Sequence, residues 1–420
     1  MTETTIARPQ ASDIDATRWP DVAAVPDNRL RARIAAGLAE HAFRTLPLRV
    51  LTPGGRSGAG GPDSPILRLH RPDHFYRRLA DSGLIGFGES FMAGEWDSPD
   101  LAGVLTVMAN RMATLIPPSL QRLRRAVLRA RPSWQDNTVS GARKNIQAHY
   151  DLSNELFQLF LDPSLTYSSA LFEADPAASV EELHHAQHRK IDRLLDVAGV
   201  GDGTRLAEIG TGWGELAIRA ARRGAQVTTV TISTEQAELA TKRIAEAGLT
   251  GQIEVRLQDY RELRGQFDSV VSVEMIEAVG AQHWPEYFGS IHRLLRPGGR
   301  AGLQAITMPH DRMLASRDTY TWIVKYIFPG GELPSVRSVR ESCDDAGLSV
   351  ASELAFGLHY AETLRRWREV FETNADRVAA LAPEFDVVFR RMWTLYLAYS
   401  EAGFRSRYLD VIQFGLTKAA

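Results

Sequence analysis

Apolar residues follow two patterns along the chain, a helical period and short continuous runs, and each pattern predicts a different kind of element. Near the amino terminus they return about every four residues, which indicates one face of an amphipathic helix: Leu30, Ile34, Leu38 and Phe43. Short apolar runs at residues 48–51 and 66–70 predict strands. We interpret residues 26–115 as a small α+β domain that follows a flexible polar tail over residues 1–25.

From about residue 183 onward, short apolar runs alternate with helical periods. The runs that predict strands cover residues 205–209, 226–232, 253–257, 267–273 and 300–306. The helical periods between them cover residues 184–198, 215–223, 235–247 and 283–295. Strands that alternate with helices of this length are typical of a parallel, doubly wound sheet. The sequence therefore predicts an α/β, Rossmann-like fold, with residues 141–420 as the larger domain.

A basic segment lies between these two predicted domains. Residues 119–131 carry five arginines and no acidic residue, and their apolar positions have helical spacing. One interpretation is an interfacial helix attracted to anionic lipid. The other is a solvated helix that links the domains. We assign residues 116–140 as a basic helical linker and keep both interpretations.

Composition excludes several classes of protein. The formal net charge is −2, so bulk charge gives no attraction to nucleic acid, and no nucleic-acid partner is expected. Cys343 is the only cysteine, which excludes an intrachain disulfide and a cysteine-rich zinc site, and we predict no metal site. The first residues lack the basic start and apolar core of a signal peptide. No apolar run reaches the length of about 18 residues that a membrane span needs. We expect a cytoplasmic protein whose membrane contact is peripheral.

The sharpest local motif is a glycine turn where a predicted strand ends and a helix begins. Glu208 precedes Gly210, Gly212 and Gly214, and the glycines have the spacing Gly-x-Gly-x-Gly. Glycines at such a turn let the backbone approach a ligand closely. The spacing differs from the Gly-x-Gly-x-x-Gly of dinucleotide-binding proteins. Glu208 could face the amino-acid ammonium of S-adenosylmethionine, and the alternative is a turn that needs glycine for packing alone.

The next two strand ends carry further candidate cofactor contacts. Thr231 and Gln236 follow the second strand and could hydrogen-bond ribose hydroxyls. Ser233 lies between them and could simply cap the following helix. Asp259 and Tyr260 follow the third strand, where the Tyr260 ring could flank adenine. A surface loop is the alternative there.

Longer sequence blocks extend the pattern well beyond the glycine turn. In chain order they cover residues 149–157, 161–170, 208–214, 271–280, 303–307, 359–367 and 403–405. In this order the blocks resemble the cyclopropane-fatty-acyl-phospholipid synthase family, which includes the mycolic-acid cyclopropane synthases. Residues 86–89 and 94–97 also resemble the amino-terminal domain of the longer, phospholipid-acting members. The resemblance implies an S-adenosylmethionine-dependent methyltransferase with a helical lid on its doubly wound sheet.

The resemblance also implies roles for individual residues. It adds Tyr167 and Ser168 to the cofactor contacts named above. Family members hold a bicarbonate ion as the base, bound by a cysteine, a glutamate, a histidine, a tyrosine and a backbone amide near an isoleucine. The matching positions here are Ser169, Glu277, Gln304, Tyr360 and Ile306. Ser169 and Gln304 depart from the family pattern, although serine and glutamine also hydrogen-bond anions.

The implied reaction adds a methyl group to the double bond of a mono-unsaturated fatty-acyl chain in a phospholipid. An alkene is a poor nucleophile, so the site must hold it in line and exclude water. Aromatic rings can stabilise the carbocation that forms. The candidate wall of the acyl-chain site is aromatic: Tyr320, Trp322, Tyr326, Phe328, Trp393, Tyr396 and Tyr399. The alternative is that these are ordinary core aromatics.

Loss of a proton then decides the product. Loss from the added methyl closes a cyclopropane ring, whereas loss after a hydride shift gives an exocyclic methylene. Residues 303–309 and 325–331 look most like an actinobacterial branch that makes methylene fatty acids, which a separate flavin-dependent reductase converts to methyl-branched chains. We expect the methylene product, with cyclopropane as the alternative.

The implied substrate also sets the expected partners. The protein is expected on the phospholipid bilayer surface at the inner face of the cell membrane, and a homo-oligomer stays open. Two rival functions are a methyltransferase of the same fold that acts on a soluble molecule or RNA, and a non-catalytic scaffold that binds the cofactor.

Overall fold

The computed structural model describes residues 7–111, 153–317 and 319–420, which form two compact units. Unit 1 combines residues 7–111 with residues 319–327 and 364–408. Unit 2 combines residues 153–317, 328–363 and 409–420. The predicted basic linker, residues 116–140, lies outside the described residues.

The helices and strands follow in chain order. The first described segment contains α1 Pro20–Ala23, α2 Arg29–Thr45, β1 Arg49–Thr52, β2 Gly55–Ser57, β3 Ile66–Leu69, α3 Pro72–Ser82, α4 Leu84–Met92, β4 Trp96–Asp97 and α5 Leu101–Asn110. The second contains α6 Asn154–Gln158, α7 Leu183–Val197, β5 Arg205–Ile209, α8 Glu215–Arg222, β6 Gln226–Thr231, α9 Thr234–Glu246, β7 Ile253–Leu257, β8 Phe267–Val273, α10 Trp284–Leu294, β9 Leu295–Thr307 and α11 His310–Ser316. The third contains α12 Trp322–Tyr326, α13 Val336–Asp345, β10 Leu348–Ala355, α14 Gly357–Thr373, α15 Ala375–Ala379, α16 Val387–Arg405 and β11 Asp410–Lys418.

Unit 1 is built on a four-stranded sheet in the order β2-β1-β3-β4. β1 runs parallel to β3, while the other two pairs are antiparallel. Buried polar contacts tie later segments to this unit. Arg391 of α16 is buried and donates to the carbonyl oxygens of Phe91 (2.7 Å) and Trp96 (3.1 Å). Tyr326 of α12 donates from its hydroxyl to Glu89 at 2.9 Å.

The contact-defined units divide the chain differently from the expected domains. The sequence places all residues from 141 to 420 in one methyltransferase domain, whereas the contacts group residues 319–327 and 364–408 with the amino-terminal unit. The difference arises because their side chains, such as Arg391, satisfy carbonyl groups of residues about 300 positions earlier. No local pattern reports a contact at that sequence separation.

Helix α2 forms where the four-residue period predicts it, but most of its apolar face is exposed to solvent. Leu30, Ile34 and Leu38 are 74%, 62% and 48% exposed, respectively. The buried positions are Ala32 and Phe43, which lie on the opposite side of the helix. The predicted helix is thus present, but Phe43 does not share the predicted apolar face, and the other three members of that face are exposed to solvent.

Unit 2 contains the predicted doubly wound sheet. Its seven strands have the order β10-β11-β9-β8-β5-β6-β7. The strands from β9 to β7 are parallel to their neighbours, and each predicted strand is present. β5 and β8 are almost continuously buried because helices cover both faces of the sheet. β10 and β11, which pair antiparallel beside β9, were not predicted.

The order of the strands positions the functional site. The order in which strands are added to the sheet reverses between β5 and β8: β6 and β7 lie beyond β5, whereas β9 lies beyond β8. Ligands bind such sheets at the carboxyl ends of the strands near this point. The glycine turn follows β5 there, and the block that contains Glu277 follows β8. Cys343, which lies in α13, is fully buried, and burial raises the pKa of its thiol to about 12.

Candidate functional site

A pocket in unit 2 opens at the carboxyl ends of β5, β6 and β8. All the residues that the sequence assigns to the cofactor line it, except Gly214, which caps the start of α8: Tyr167, Ser168, Glu208, Gly210, Gly212, Thr231, Gln236, Asp259 and Tyr260. Gly210 has φ +93°, a conformation that glycine adopts without steric cost. A Cβ atom built on Gly210 would lie 2.7 Å from the side chain of Met275, so the turn needs glycine both for its conformation and for space.

Glu208 is buried beside this turn. Desolvation raises the pKa of its carboxyl to about 8. Its Oε2 atom is buried and has no hydrogen-bond partner among the residues that the structure describes. A buried carboxyl oxygen without a partner costs free energy, and a cationic ligand would supply that partner. The site therefore suits an ammonium group.

The next strand ends hold two pairs of polar residues. Thr231 donates to Gln236 through a 2.9 Å hydrogen bond between their side chains. Ser233 caps α9, since its Oγ accepts from the Gln236 N–H at 3.2 Å, and this is the structural alternative named above. Asp259 accepts two side-chain hydrogen bonds from Arg261, at 2.9 and 2.7 Å. Asp259 therefore holds Arg261 and is in position to shape the pocket wall.

Tyr167 and Ser168 reach the same pocket from the loop that precedes α7. The Tyr167 ring packs edge-on against Phe157, with the ring centroids 5.1 Å apart. The Ser168 hydroxyl accepts a 2.5 Å hydrogen bond from Nζ of Lys190, a buried residue of α7. Desolvation lowers the pKa of Lys190 to about 8, although nearby Glu274 and Asp162 oppose that shift. Lys190 is thus a basic side chain that lines the pocket.

Two carboxyl groups follow β8, and only one of them was singled out from the sequence. Glu277 was assigned to the base site, whereas Glu274 lies three residues earlier in the same block and was missed. Glu274 lines the cofactor pocket and has φ +50°, an uncommon conformation for a residue other than glycine. The second acid in the block was the signal that could have revealed it.

Three groups donate hydrogen bonds to the Glu274 carboxyl. They are the Ser169 N–H (3.0 Å), the Gln304 side-chain amide (2.8 Å) and the Tyr360 hydroxyl (2.7 Å). Ser169, Gln304 and Tyr360 are all buried. The Ser169 hydroxyl is not among the donors, because it binds the carbonyl oxygen of Ala170 at 3.0 Å. The structure thus brings together residues from four distant parts of the chain around one carboxyl group.

Glu277 has a different environment. Its Oε1 accepts from the Ile306 N–H at 2.5 Å, while its buried Oε2 has no partner in the described parts of the chain. Desolvation, and then the charge of Glu274, raise the pKa of Glu277 to about 8. Desolvation also raises the pKa of Glu274, but Lys190 and the three donors oppose that shift. The three donors and the Lys190 charge favour the negative charge on Glu274, whereas Glu277, whose Oε2 lacks a partner among the described residues, is the better site for a proton.

The candidate acyl-chain aromatics do not all lie in one unit. Phe328 belongs to unit 2, together with the acid pair. The other six belong to unit 1: Tyr320, Trp322, Tyr326, Trp393, Tyr396 and Tyr399. Trp393 is fully buried and stacks on Phe389 with a centroid distance of 5.8 Å, which favours a core role for this residue.

Comparison with known sequences gives matches over the whole chain. Residues 138–414 match the family described as mycolic acid cyclopropane synthetase. The chain is 54% identical over 426 residues to the tuberculostearic acid methyltransferase UfaA1 of Mycobacterium tuberculosis, covering 100% of this chain and 99% of that protein. It is 33% identical over 351 residues to the cyclopropane-fatty-acyl-phospholipid synthase of Escherichia coli, covering 83% of this chain and 86% of that protein.

Comparison with solved structures gives a consistent result. The mycolic acid cyclopropane synthase CmaA1, complexed with SAH and CTAB, matches with a TM-score of 0.60 and 32% identity, covering 69% of this chain and 99% of that chain. The cyclopropane synthase MmaA2 from Mycobacterium tuberculosis has a TM-score of 0.60 and 31% identity, with 66% of this chain and 98% of that chain covered.

Proposed function

This chain belongs to the mycolic acid cyclopropane synthetase family and is an S-adenosylmethionine-dependent methyltransferase, and we propose that its acceptor is the double bond of a mono-unsaturated fatty-acyl chain in a phospholipid. The observation that carries the proposal is the 54% identity, over the full chain, to a tuberculostearic acid methyltransferase. The pocket in unit 2 supports it, because a carboxyl group lies beside the cofactor-binding residues.

The pocket residues fit the cofactor. The Glu208 Oε2 atom, which has no hydrogen-bond partner in the described part of the chain, suits the amino-acid ammonium, and Thr231 with Gln236 offers hydrogen bonds to the ribose. The Tyr260 ring packs edge-on against Tyr287 and presents a surface for adenine. When bound, S-adenosylmethionine supplies an electrophilic methyl group on a sulfonium.

The protein's residues must then control a carbocation. Carbon–carbon bond formation at one alkene carbon leaves a positive charge on its neighbour, and water would trap that charge. Gln304 and Tyr360 are buried and bonded to protein groups, which keeps their polar atoms from recruiting solvent. Phe328, which belongs to the same unit as the acid pair, stays our candidate contact for the acyl chain.

We infer a methylene product, which a separate flavin-dependent reductase would convert to a methyl branch. The full-length relative is named as a methyltransferase, and this supports methyl addition without ring closure. The second candidate is cyclopropane formation. The family description and the 33% identity to the Escherichia coli synthase favour that outcome.

Within the described residues, no helix is long and apolar enough to cross a bilayer. We propose that the protein works as a peripheral protein at the cytoplasmic face of an anionic bilayer, with the exposed face of α2 in contact with lipid. Leu30, Ile34 and Leu38 form one exposed stripe. Arg31 and Arg33 are exposed at its two margins by helical geometry. An apolar stripe flanked by arginines fits the boundary between headgroups and acyl chains.

The decisive experiment is incubation of the protein with S-adenosylmethionine and vesicles of a mono-unsaturated phospholipid. The expected result is a released fatty acid that has gained one carbon and two hydrogens by mass spectrometry. NMR of the product then distinguishes an exocyclic methylene from a cyclopropane ring. Absence of this mass gain, together with methylation of a water-soluble acceptor, would overturn the proposal.

A further inference from the structure

Four of the five residues that the resemblance assigns to bicarbonate already donate hydrogen bonds to carboxyl groups of the chain itself, and the fifth, Glu277, carries one of those carboxyl groups. The donors are the Ser169 N–H, the Gln304 amide and the Tyr360 hydroxyl on Glu274, and the Ile306 N–H on Glu277. A bicarbonate ion would need the same donors, so these residues do not fit it in this arrangement. We propose that the Glu274 carboxylate is the base that removes the proton from the methylated acyl chain, and that the reaction needs no bicarbonate. This inference rests on the proposed function.

The position of Glu274 supports this role. It lines the same pocket as Gly210 and Tyr167, so it borders the space that the candidate cofactor residues surround. The backbone holds Glu274 at φ +50°, and its N–H donates to the Gln304 carbonyl at 2.8 Å. A residue other than glycine is strained in this region, and such strain is concentrated at functional sites.

The contacts of Glu274 favour its charged form. The Ser169 N–H and the Gln304 amide group both donate to Oε1 of Glu274, and the Tyr360 hydroxyl donates to Oε2, so both oxygens accept hydrogen bonds. The buried Lys190 ammonium supplies a compensating positive charge. Glu277, whose buried Oε2 has no hydrogen-bond partner among the described residues, is the better site for a proton. A charged Glu274 beside a neutral Glu277 gives the pocket one base rather than two repelling carboxylates.

The proton and electron balance is complete without another reagent. The alkene π pair forms the new bond to the methyl carbon, and the carbon–sulfur pair stays on sulfur. A hydride shift then moves the positive charge to the carbon that carries the new methyl. Glu274 takes one methyl proton, and the released C–H pair becomes the exocyclic double bond. If the proton is lost before the shift, the same pair closes a ring instead. Neutral Glu274 returns the proton to solvent after product leaves.

The first test needs only the unaltered protein. The methylation rate is measured in buffer purged of carbon dioxide and again with added bicarbonate. We expect the two rates to agree within about twofold, because the base belongs to the chain. A rate that collapses without bicarbonate and recovers on its addition overturns the inference.

The second test uses variants of Glu274. Glu274→Gln keeps the size but removes the base, and we expect a rate loss of about a thousandfold with S-adenosylhomocysteine binding retained. Glu238, which is exposed on α9, provides the matched control, and Glu238→Gln should leave the rate unchanged. A Glu274→Gln rate within about tenfold of the unaltered protein would overturn the inference.

A third variant gives a readout that does not depend on activity. Glycine accepts a positive φ without strain, so Glu274→Gly should empty the donor cluster and leave the backbone in place. We expect this variant, but not the unaltered protein, to bind bicarbonate in carbon-13 NMR. Bicarbonate binding by the unaltered protein at this site contradicts the inference. If the unaltered protein gives no product with or without bicarbonate, the proposed function itself fails, whereas bicarbonate-dependent product overturns only this inference.

Discussion

Gln413 donates a 3.0 Å hydrogen bond from Nε2 to Oε1 of Gln304, and this bond determines which end of the Gln304 amide faces Glu274. The two residues are directly paired across β11 and β9. Because the Gln304 oxygen is occupied, its amide NH₂ points to the Glu274 carboxyl at 2.8 Å. The antiparallel strand β11 thus orients a donor of the acid cluster.

This relationship predicts a positioning role for Gln413. Gln413→Leu should lower the turnover number about tenfold, with little change in the KM for lipid, because one hydrogen bond to a charged group is weakened. It should also raise the pKa of Glu274, so the acid limb of the pH–rate profile should move to higher pH. Gln226→Leu, at an exposed site on β6, is the control. An unchanged pH profile would show that Gln413 has only a structural role.

A second prediction concerns the proton on Glu277. Because the pKa of Glu277 is raised to about 8, the group is neutral at pH 7, and Glu277→Gln imitates that state. We expect activity to fall by less than about tenfold, the equivalent of one neutral hydrogen bond. Infrared spectra of the unaltered protein should show a protonated-carboxyl band that is lost in Glu277→Gln. A loss of activity as large as that of Glu274→Gln would reverse the charge assignment.

A third prediction links Glu208 to proton release when the cofactor binds. In the free protein the pKa of Glu208 is about 8, so below that pH the carboxyl holds a proton. Pairing with the cofactor ammonium requires the ionised form, so binding should release a proton, and affinity should rise between about pH 6 and 7.5. Calorimetry in buffers of different ionisation enthalpy measures the released proton.

Glu208→Gln should abolish this release and weaken binding about tenfold to a hundredfold, since a charge-assisted hydrogen bond is lost. The exposed variant Glu238→Gln serves again as the control. Proton release that persists in Glu208→Gln would assign it to another group.

A fourth prediction tests the glycine turn. Gly210→Ala places a side chain at φ +93° and 2.7 Å from Met275. Both effects displace the turn from the cofactor, so S-adenosylhomocysteine binding should fall by at least about tenfold. Gly201→Ala is the matched control, because its added Cβ has open space and its φ is not positive. Circular dichroism separates lost binding from lost folding.

A fifth prediction concerns the exposed stripe of α2. Replacement of Leu30, Ile34 and Leu38 by serine should reduce binding to anionic vesicles at least about tenfold, because three apolar side chains no longer enter the lipid. Salt should weaken binding by the unaltered protein, since Arg31 and Arg33 act through screened charges. Replacement of two exposed apolar residues elsewhere, Val180 and Leu314, should have no such effect. Equal binding to neutral vesicles at high salt would contradict this contact.

The sequence by itself determined the elements and the cofactor turn. The alternation of apolar runs with helical periods predicted five parallel strands of unit 2 and the helices between them, because that periodicity is local. The Gly210–Gly214 turn was also predicted locally, since glycine spacing after a strand reports the backbone conformation directly.

Only the tertiary structure decided what surrounds the acid pair and which surfaces are buried. The Glu274 carboxyl accepts hydrogen bonds from residues 169, 304 and 360. No local sequence pattern shows that these residues converge. The four-residue period of α2 likewise predicted an apolar face but not its exposure, because burial depends on which distant segments pack against it. Hydrogen bonding and burial are properties of residues brought together by folding, so the base of this site could be identified only in three dimensions.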